Sequence, residues 1–298
     1  MSTGVRTDTG RVRDGNEDRY LVREEQGVTL LAVADGVGGS SGGEIAADAA
    51  LAELGTRFFG APPDRPTSDA LADALRDANA AVLRAAGSSG HRDAATTIVA
   101  AAVRADQAII ANLGDSRAYL IRDGICRQLT EDHSGAMEHA ITRFAGDPRG
   151  IQPDIFVESL RPRDRLLLCS DGLTRHVTPE EIAKAAGSED VRAAAAALVD
   201  LANARGGQDN ITVLVHDPGR PRAAARTAGR AVAFAVFALL ILVTVGGAIA
   251  VLFAASTVAP SQTAAPSPTV TPTPTAPPSP TPTPSPSPTP EPTPSASP

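Results

Sequence analysis

Tryptophan is absent from this 298-residue chain, and aromatic residues make up only 3% of it. A buried core must therefore be assembled mainly from small and branched aliphatic side chains. Only Cys126 and Cys169 are present, which excludes a disulfide framework and fits a reducing compartment. Lysine occurs once, at Lys184, against many arginines, a bias without functional meaning. His91, His133, His139 and His216 lack the spacing of metal ligands and read as structural or surface residues. The start of the chain, Met1 to Asp18, is polar, so no cleavable signal peptide is expected.

Charge is unevenly spread. Residues 1–217 carry 33 of the 34 acids but only 23 of the 27 basic residues. That acidic balance argues against nucleic acid as a partner. Arg220, Arg222, Arg226 and Arg230 then precede an uncharged apolar run over 231–255, AVAFAVFALLILVTVGGAIAVLFAA. Spanning a bilayer takes about 20 apolar residues, so this run predicts a transmembrane helix. Arginines before it and no basic residue after it place the N-terminal part in the cytoplasm and the C-terminus outside. Residues 256–298 are rich in Pro, Thr and Ser, cannot bury a core, and are expected to be an extended, disordered extracytoplasmic tail. The expected layout is thus a globular domain over 1–217, a basic linker over 218–230, a span over 231–255 and the tail.

Within the globular part, Tyr20–Val22 and Val28–Ala34 read as strands joined near Gly27. Glu44–Phe58 reads as a helix with one apolar face, and Ser68 as the N-cap of a second helix reaching about Ala86. Thr96–Val103, Ala108–Asn112, Ala118–Arg122, Arg165–Cys169 and Ile211–His216 read as strands, with helices over 179–187 and 189–204. The middle strands follow one another through tight turns such as Arg122-Asp123-Gly124. That order favours an α+β fold, an antiparallel β-sandwich flanked by helices, over a doubly wound parallel sheet.

Four acidic patches punctuate this domain: Arg13-Asp14-Gly15-Asn16-Glu17-Asp18, Asp35-Gly36-Val37-Gly38-Gly39, Ser170-Asp171-Gly172 and Asp209-Asn210. Asp35 ends the apolar run LLAVA, Asp171 follows RLLLCS and Asp209 precedes ITVLV, so each sits at a strand end. Carboxylates gathered at strand ends do not all stay ionised without cations between them. Hard oxygen ligands suit Mg²⁺ or Mn²⁺ rather than zinc, and a paired-cation site suggests phosphate-ester hydrolysis. A nucleotide-phosphate loop is excluded because no Gly-Lys-Ser/Thr follows the glycines, and GVGGSS lacks the dinucleotide spacing.

The stretches TGRVRDGNED, AVADGVGG, ANLGDSRAY, LTEDHS, ITRFAG, RLLLCSDGLT and GGQDNITVLV resemble, in order, the metal-dependent Ser/Thr protein phosphatases of the PPM (type 2C) family, in their bacterial membrane-anchored form. The resemblance implies that Asp35 bridges two Mn²⁺ or Mg²⁺ ions and that the Gly36 carbonyl binds the second. It implies that Asp171 and Asp209 complete the first ion's ligands, and that Glu17 and Asp18 position metal-bound waters. Arg13 would bind the substrate phosphate, Asn210 would support the site from behind, and Asp115 would hold a weaker third ion. Hydrolysis by a metal-bridged hydroxide follows from that family, without a covalent phospho-enzyme. Phosphorylated proteins are the implied partners, among them Ser/Thr kinases and their substrates.

Three departures stand out. Val37 occupies the position of a histidine found in many eukaryotic members. Arg175 replaces the acid usual after Asp-Gly-Leu-Thr, and its charge argues against a stable third ion. The segment between His133 and Ile141 is short, trimming the usual flap. Two other readings compete. Cys169 to Arg175 satisfies the Cys-x₅-Arg loop of thiol phosphatases, although Asp171 inside it would repel phosphate. A membrane-tethered pseudophosphatase would bind phosphorylated partners without turnover.

Overall fold

A computed structural model of the chain describes residues 1–38, 41–135, 141–187 and 190–219. The expected membrane span, the tail and most of the basic linker lie outside these residues. Among the described residues, no helix is long and apolar enough to cross a membrane.

Among the described residues, twelve strands and five helices follow in order: β1 (Ser2–Asp8), β2 (Arg19–Glu25), β3 (Val28–Ala34), β4 (Gly36–Val37), α1 (Gly42–Phe59), α2 (Thr67–Ser89), β5 (Ala95–Thr96), β6 (Ile98–Arg104) and β7 (Gln107–Leu113). After them come β8 (Arg117–Arg122), β9 (Ile125–Gln128), β10 (Asp154–Ser159), β11 (Arg165–Cys169), α3 (Asp171–Thr174), α4 (Pro179–Ala186), α5 (Val191–Ala204) and β12 (Ile211–Asp217). Two five-stranded antiparallel sheets form, ordered β1-β12-β11-β8-β9 and β10-β7-β6-β3-β2; β4 and β5 make a small third pair.

Strand period two explains the layering. In β3, Leu30, Ala32 and Ala34 face α1 and α2, packing with Ala46, Leu54, Leu71 and Leu75. The alternate residues Leu31 and Val33 face the other sheet and meet Leu120, Leu166, Leu168 and Leu214. On the far side, Leu167, Cys169, Val213 and Val215 pack against Ile182, Ala195, Leu198 and Val199 of α4 and α5. The layers thus run helices, sheet, sheet, helices, and β3 reads as a continuous apolar run because both its faces are covered. Fully burying one such leucine contributes about 1.5–3 kcal/mol.

The helix ends follow local chemistry. Thr178 and Glu181 form a reciprocal capping box at α4, and the Asp190 side chain accepts from the Arg192 N–H at 2.9 Å to cap α5. One expected cap is corrected: Pro66, not Ser68, precedes α2, and Ser68 lies inside the first turn. Proline pre-sets backbone geometry for helix entry, so the boundary moves upstream.

Four strands, β1, β4, β9 and β10, were not expected from the sequence pattern. β1, β9 and β10 lie at the edges of the two large sheets. Edge strands carry polar residues on their open sides and lack the apolar run that marks a central strand. The turns at Gln26-Gly27 and Asp123-Gly124 have both central residues at positive φ, the geometry of two-residue hairpins.

Candidate metal centre

The acidic patches converge. β3 leads into Asp35, β7 into the loop carrying Asp115, β11 into Asp171, and Asp209 precedes β12. One end of the sandwich therefore collects carboxylates from both sheets. Asp35, Asp115, Asp171, Asp209 and Glu17 line a cavity of about 330 Å³. Arg13, Gly36, Arg175 and Asn210 line it too, as do Val37, Gly38 and Ile141.

Backbone and side-chain bonds fix these positions. Thr97 donates its N–H to the Asp35 carbonyl at 2.9 Å, and the Thr96 hydroxyl donates to the same oxygen at 2.9 Å. Thr97 Oγ1 accepts from the Asp35 N–H at 3.2 Å and pairs with Ser116 Oγ at 2.7 Å. Gly36 lies against the start of α1: a Cβ there would fall 2.3 Å from the Gly43 carbonyl oxygen. Only glycine permits that approach.

Asn210 ties the loop between β1 and β2 to the cavity. Its Nδ2 donates to the carbonyls of Thr9 and Gly15 at 2.8 and 2.9 Å, and its Oδ1 accepts from the Glu17 N–H at 2.8 Å. Arg13 on that loop donates to Asp209 Oδ2 at 2.9 Å, with half its side chain exposed. Glu17 and Asp18 separate. Glu17 faces the cavity, whereas Asp18 is buried beside it and accepts from the Ser170 hydroxyl at 2.7 Å. Ser170, which also accepts from the Thr212 N–H at 3.0 Å, was not expected as a contributor. Its adjacency to Asp171 was the only signal available.

Crowding shifts several carboxyls upward. Burial, then the charges of Asp18, Asp171, Asp115 and Asp209, holds the Asp35 carboxyl well above the usual range. Burial outweighs the Ser170 and Thr212 hydrogen bonds and pushes Asp18 up to about 7. Burial and the Asp171 charge raise Asp115 to about 6.

The donor set fits hard divalent cations. Asp18 Oδ1, Asp115 Oδ1 and Asp171 Oδ1 are buried without any hydrogen-bond partner among the described residues. The cavity wall offers carboxylates and backbone but no thiol or imidazole. Among the described residues, however, no three His, Cys, Asp or Glu side chains stand together as a ready ligand set. Two of the expected ligands are engaged by guanidiniums: Arg175 donates to Asp171 Oδ2 and Arg13 to Asp209 Oδ2. The expected ligands thus share a cavity, with Asp171 and Asp209 turned toward arginine.

The thiol alternative does not match the geometry. Cys169 is fully buried among Tyr119, Leu167 and Leu173, away from the cavity wall. Burial pushes its thiol far above the ordinary range. His133 is buried and structural: its Nδ1 accepts from the Gly114 N–H at 3.0 Å and its Nε2 pairs with Asp154 Oδ2 at 2.9 Å. Thr142 donates its N–H to the His133 carbonyl at 2.8 Å, closing the short segment whose residues 136–140 lie outside the described set.

Comparison with known proteins places these features in context. Residues 10–213 match the family model described as protein phosphatase 2C. The serine/threonine phosphatase Stp of Listeria monocytogenes is 34% identical over 239 residues, spanning 72% of this chain and 95% of the relative. The serine/threonine protein phosphatase PstP of Mycobacterium tuberculosis is 34% identical over 235 residues, spanning 72% of this chain and 44% of that longer relative. A crystal structure of M. tuberculosis PstP superposes with a TM-score of 0.67 at 30% identity, covering 74% of this chain and 99% of that one. The PstP catalytic domain in complex with two manganese ions superposes with a TM-score of 0.65 at 32% identity, covering 72% and 97%.

Proposed function

The chain belongs to the protein phosphatase 2C family and is a Ser/Thr protein phosphatase; from that premise we propose that it hydrolyses phosphoserine and phosphothreonine with Mn²⁺ or Mg²⁺ held by Asp35, Asp171 and Asp209. The observation that carries the metal reading is the set of three orphaned carboxylate oxygens beside one carboxylate-lined cavity. The relative solved with two manganese ions supports a pair of cations; the Gly36 carbonyl would serve as a backbone ligand. Asp115 would hold a further, weaker ion, a role that Arg175 opposes.

Bound divalent cations supply Lewis-acid activation of water and neutralise charge on a phosphoryl group. The chain's own residues orient and select. Arg13 presents a planar fork of donors from a half-exposed loop, suited to two phosphate oxygens. Asn210 ties that loop to the chain beside Asp209, and Arg13 on the loop bonds the Asp209 carboxylate. Glu17 faces the cavity as a water-orienting acceptor. Asp18 stays behind it, buried, with an Oδ1 that no other described group bonds. No specific observation favours a pseudophosphatase, because the acids such a protein would forgo are present.

Kinases that phosphorylate Ser and Thr, and their substrates, are the proposed source of phosphorylated partners. The arginine-flanked apolar run over 231–255 supports anchoring in the cell membrane, with the catalytic domain in the cytoplasm and the tail outside. Phosphate release from a phosphothreonine peptide by the full-length chain tests the catalytic reading. Activity is expected to require Mn²⁺ or Mg²⁺, to vanish in EDTA and to survive iodoacetamide. Turnover that persists in EDTA, or is lost to the alkylator, would overturn it.

A further inference from the structure

Arg175 is, with Arg13, one of two cations lining a cavity whose other charged residues are acids. It caps α3 four residues after Asp171, and one helical turn carries its guanidinium back over that carboxylate. Its Nε donates to Asp171 Oδ2 at 2.9 Å, and its Nη2 bonds to the same oxygen. Nη2 also lies 3.8 Å from Asp209 Oδ2, the oxygen that Arg13 already occupies. Asp35 and Asp115 complete the set of carboxylates that feel its charge. The two arginines differ in setting: the Arg13 side chain is 50% exposed and that of Arg175 only 29%. Arg175 is thus the more enclosed counter-charge, centred on Asp171 rather than on the cavity mouth.

We infer that Arg175 is an internal counter-cation, which neutralises Asp171 and its neighbours when no metal ion is held and competes with a divalent cation for the same carboxylate oxygen. This rests on the metal reading above. A unit positive charge within hydrogen-bond distance of a ligand carboxylate disfavours an incoming divalent ion by direct repulsion and must be moved aside. The side chain is long and partly exposed, so its head has a path to water while its stem stays in place. Metal affinity is therefore set below what the acids alone would give. In return, the metal-free domain is spared the repulsion of several unpaired carboxylates in one enclosure.

Mn²⁺ titration calorimetry and thermal unfolding of the full-length chain in mild detergent test this, using wild type, R175A, R175Q and R175K. R175A is expected to bind Mn²⁺ about tenfold more tightly at moderate ionic strength. In EDTA, R175A and R175Q are expected to melt below wild type; at saturating Mn²⁺ they should melt no lower than it. R175K, which keeps the charge but not the planar fork, should fall between. A plain structural ion pair would lower the melting temperature equally in both conditions, and that result would overturn the inference. So would unchanged or weaker Mn²⁺ binding by R175A, or by R175Q should R175A not fold in EDTA. Failure of wild type to take up Mn²⁺ would instead overturn the metal reading itself, and this inference with it.

Discussion

Asp35 and Asp115 face the same cavity from two strands of one sheet, β3 and β7, with β6 between them, yet their surroundings differ. Asp35 is locked by Thr96 and Thr97 through its own backbone and is influenced by Asp18, Asp171, Asp115 and Asp209. Asp115 is reached mainly by Asp171 and Asp132. Asp35→Asn is therefore expected to reduce Mn²⁺-dependent turnover roughly 100-fold or more. Asp115→Asn should stay within about tenfold of wild type, since it removes only the weaker site. Steady-state kinetics on a phosphothreonine peptide at fixed Mn²⁺ checks the order; equal losses would contradict it. A second residue, far from the cavity, sets an acid limit. His216 is 1% exposed, its Nδ1 is paired with Thr3 Oγ1 at 2.9 Å, and its Nε2 has no partner. Burial lowers its pKa from the ordinary 6.5 to about 4. Between those values the unfolded chain binds the proton and the folded chain does not, so stability rises with pH there. The contribution is complete above about pH 6.5 and lost as pH falls to about 4, on the order of 3 kcal/mol in all. His216→Leu removes this dependence while keeping bulk and burial. The melting-temperature difference, wild type minus variant, should grow from pH 4 to 6.5 and then level off. A constant difference across that range would show that His216 titrates normally.

At the scale of elements, the site depends on contacts that hold loops to strands. Asn210 makes three bonds that pin the loop between β1 and β2, and Arg13 rides on that loop. Asn210→Ala should lower turnover about 10- to 100-fold, as supporting residues of metal sites do, with KM for the phosphopeptide rising as Arg13 loosens. Limited proteolysis should cut within 9–17 faster than in wild type; unchanged cleavage and KM would remove the clamp from the account. Gly36 offers a steric counterpart, because any Cβ meets the Gly43 carbonyl. Gly36→Ala must push α1 from β4, so lowered melting temperature and lost activity are expected together. Legibility in the sequence followed burial. β3, β6, β7, β11 and β12 were readable because two-sided burial leaves apolar runs, and the acids at their ends marked the cavity without any coordinates. β1, β9 and β10, three of the four edge strands of the large sheets, were not, since edge strands owe their pairing to a neighbour rather than to their own pattern; the fourth, β2, was read only at Tyr20–Val22. The convergence of Asp35, Asp171 and Asp209 was likewise readable from their position after or before strands, and Asp115 was added by the family resemblance. The ion pairs of Arg13 and Arg175, and the burial of Asp18 on Ser170, depend on side-chain direction across loops far apart in sequence. No local pattern encodes that direction.

For the whole molecule, the unequal charge of its parts bears on where the catalytic domain works. The acidic domain ends at Asp217, four arginines follow, and the apolar run over 231–255 carries no charge. Arginines near an apolar segment favour the cytoplasmic face, and an acidic domain does not counter them, because the bias is one of basic residues rather than of net charge. The tail over 256–298 holds a single acid, Glu291, and no basic residue, so nothing in it retains the C-terminus inside. In membrane fractionation the full-length chain should therefore sediment with membranes and resist extraction by high salt and alkaline carbonate. A variant lacking 231–298 should leave them. The polybasic linker alone would hold the chain by an electrostatic contact that salt screens, so release at high salt would assign the anchoring to the arginines and remove the span. Orientation follows from protease added to intact cells. A C-terminal epitope should be lost while Mn²⁺-dependent phosphatase activity stays protected until the membrane is opened. Loss of activity in unopened cells would put the catalytic domain outside, away from cytoplasmic phosphoproteins, and would reverse the proposed topology.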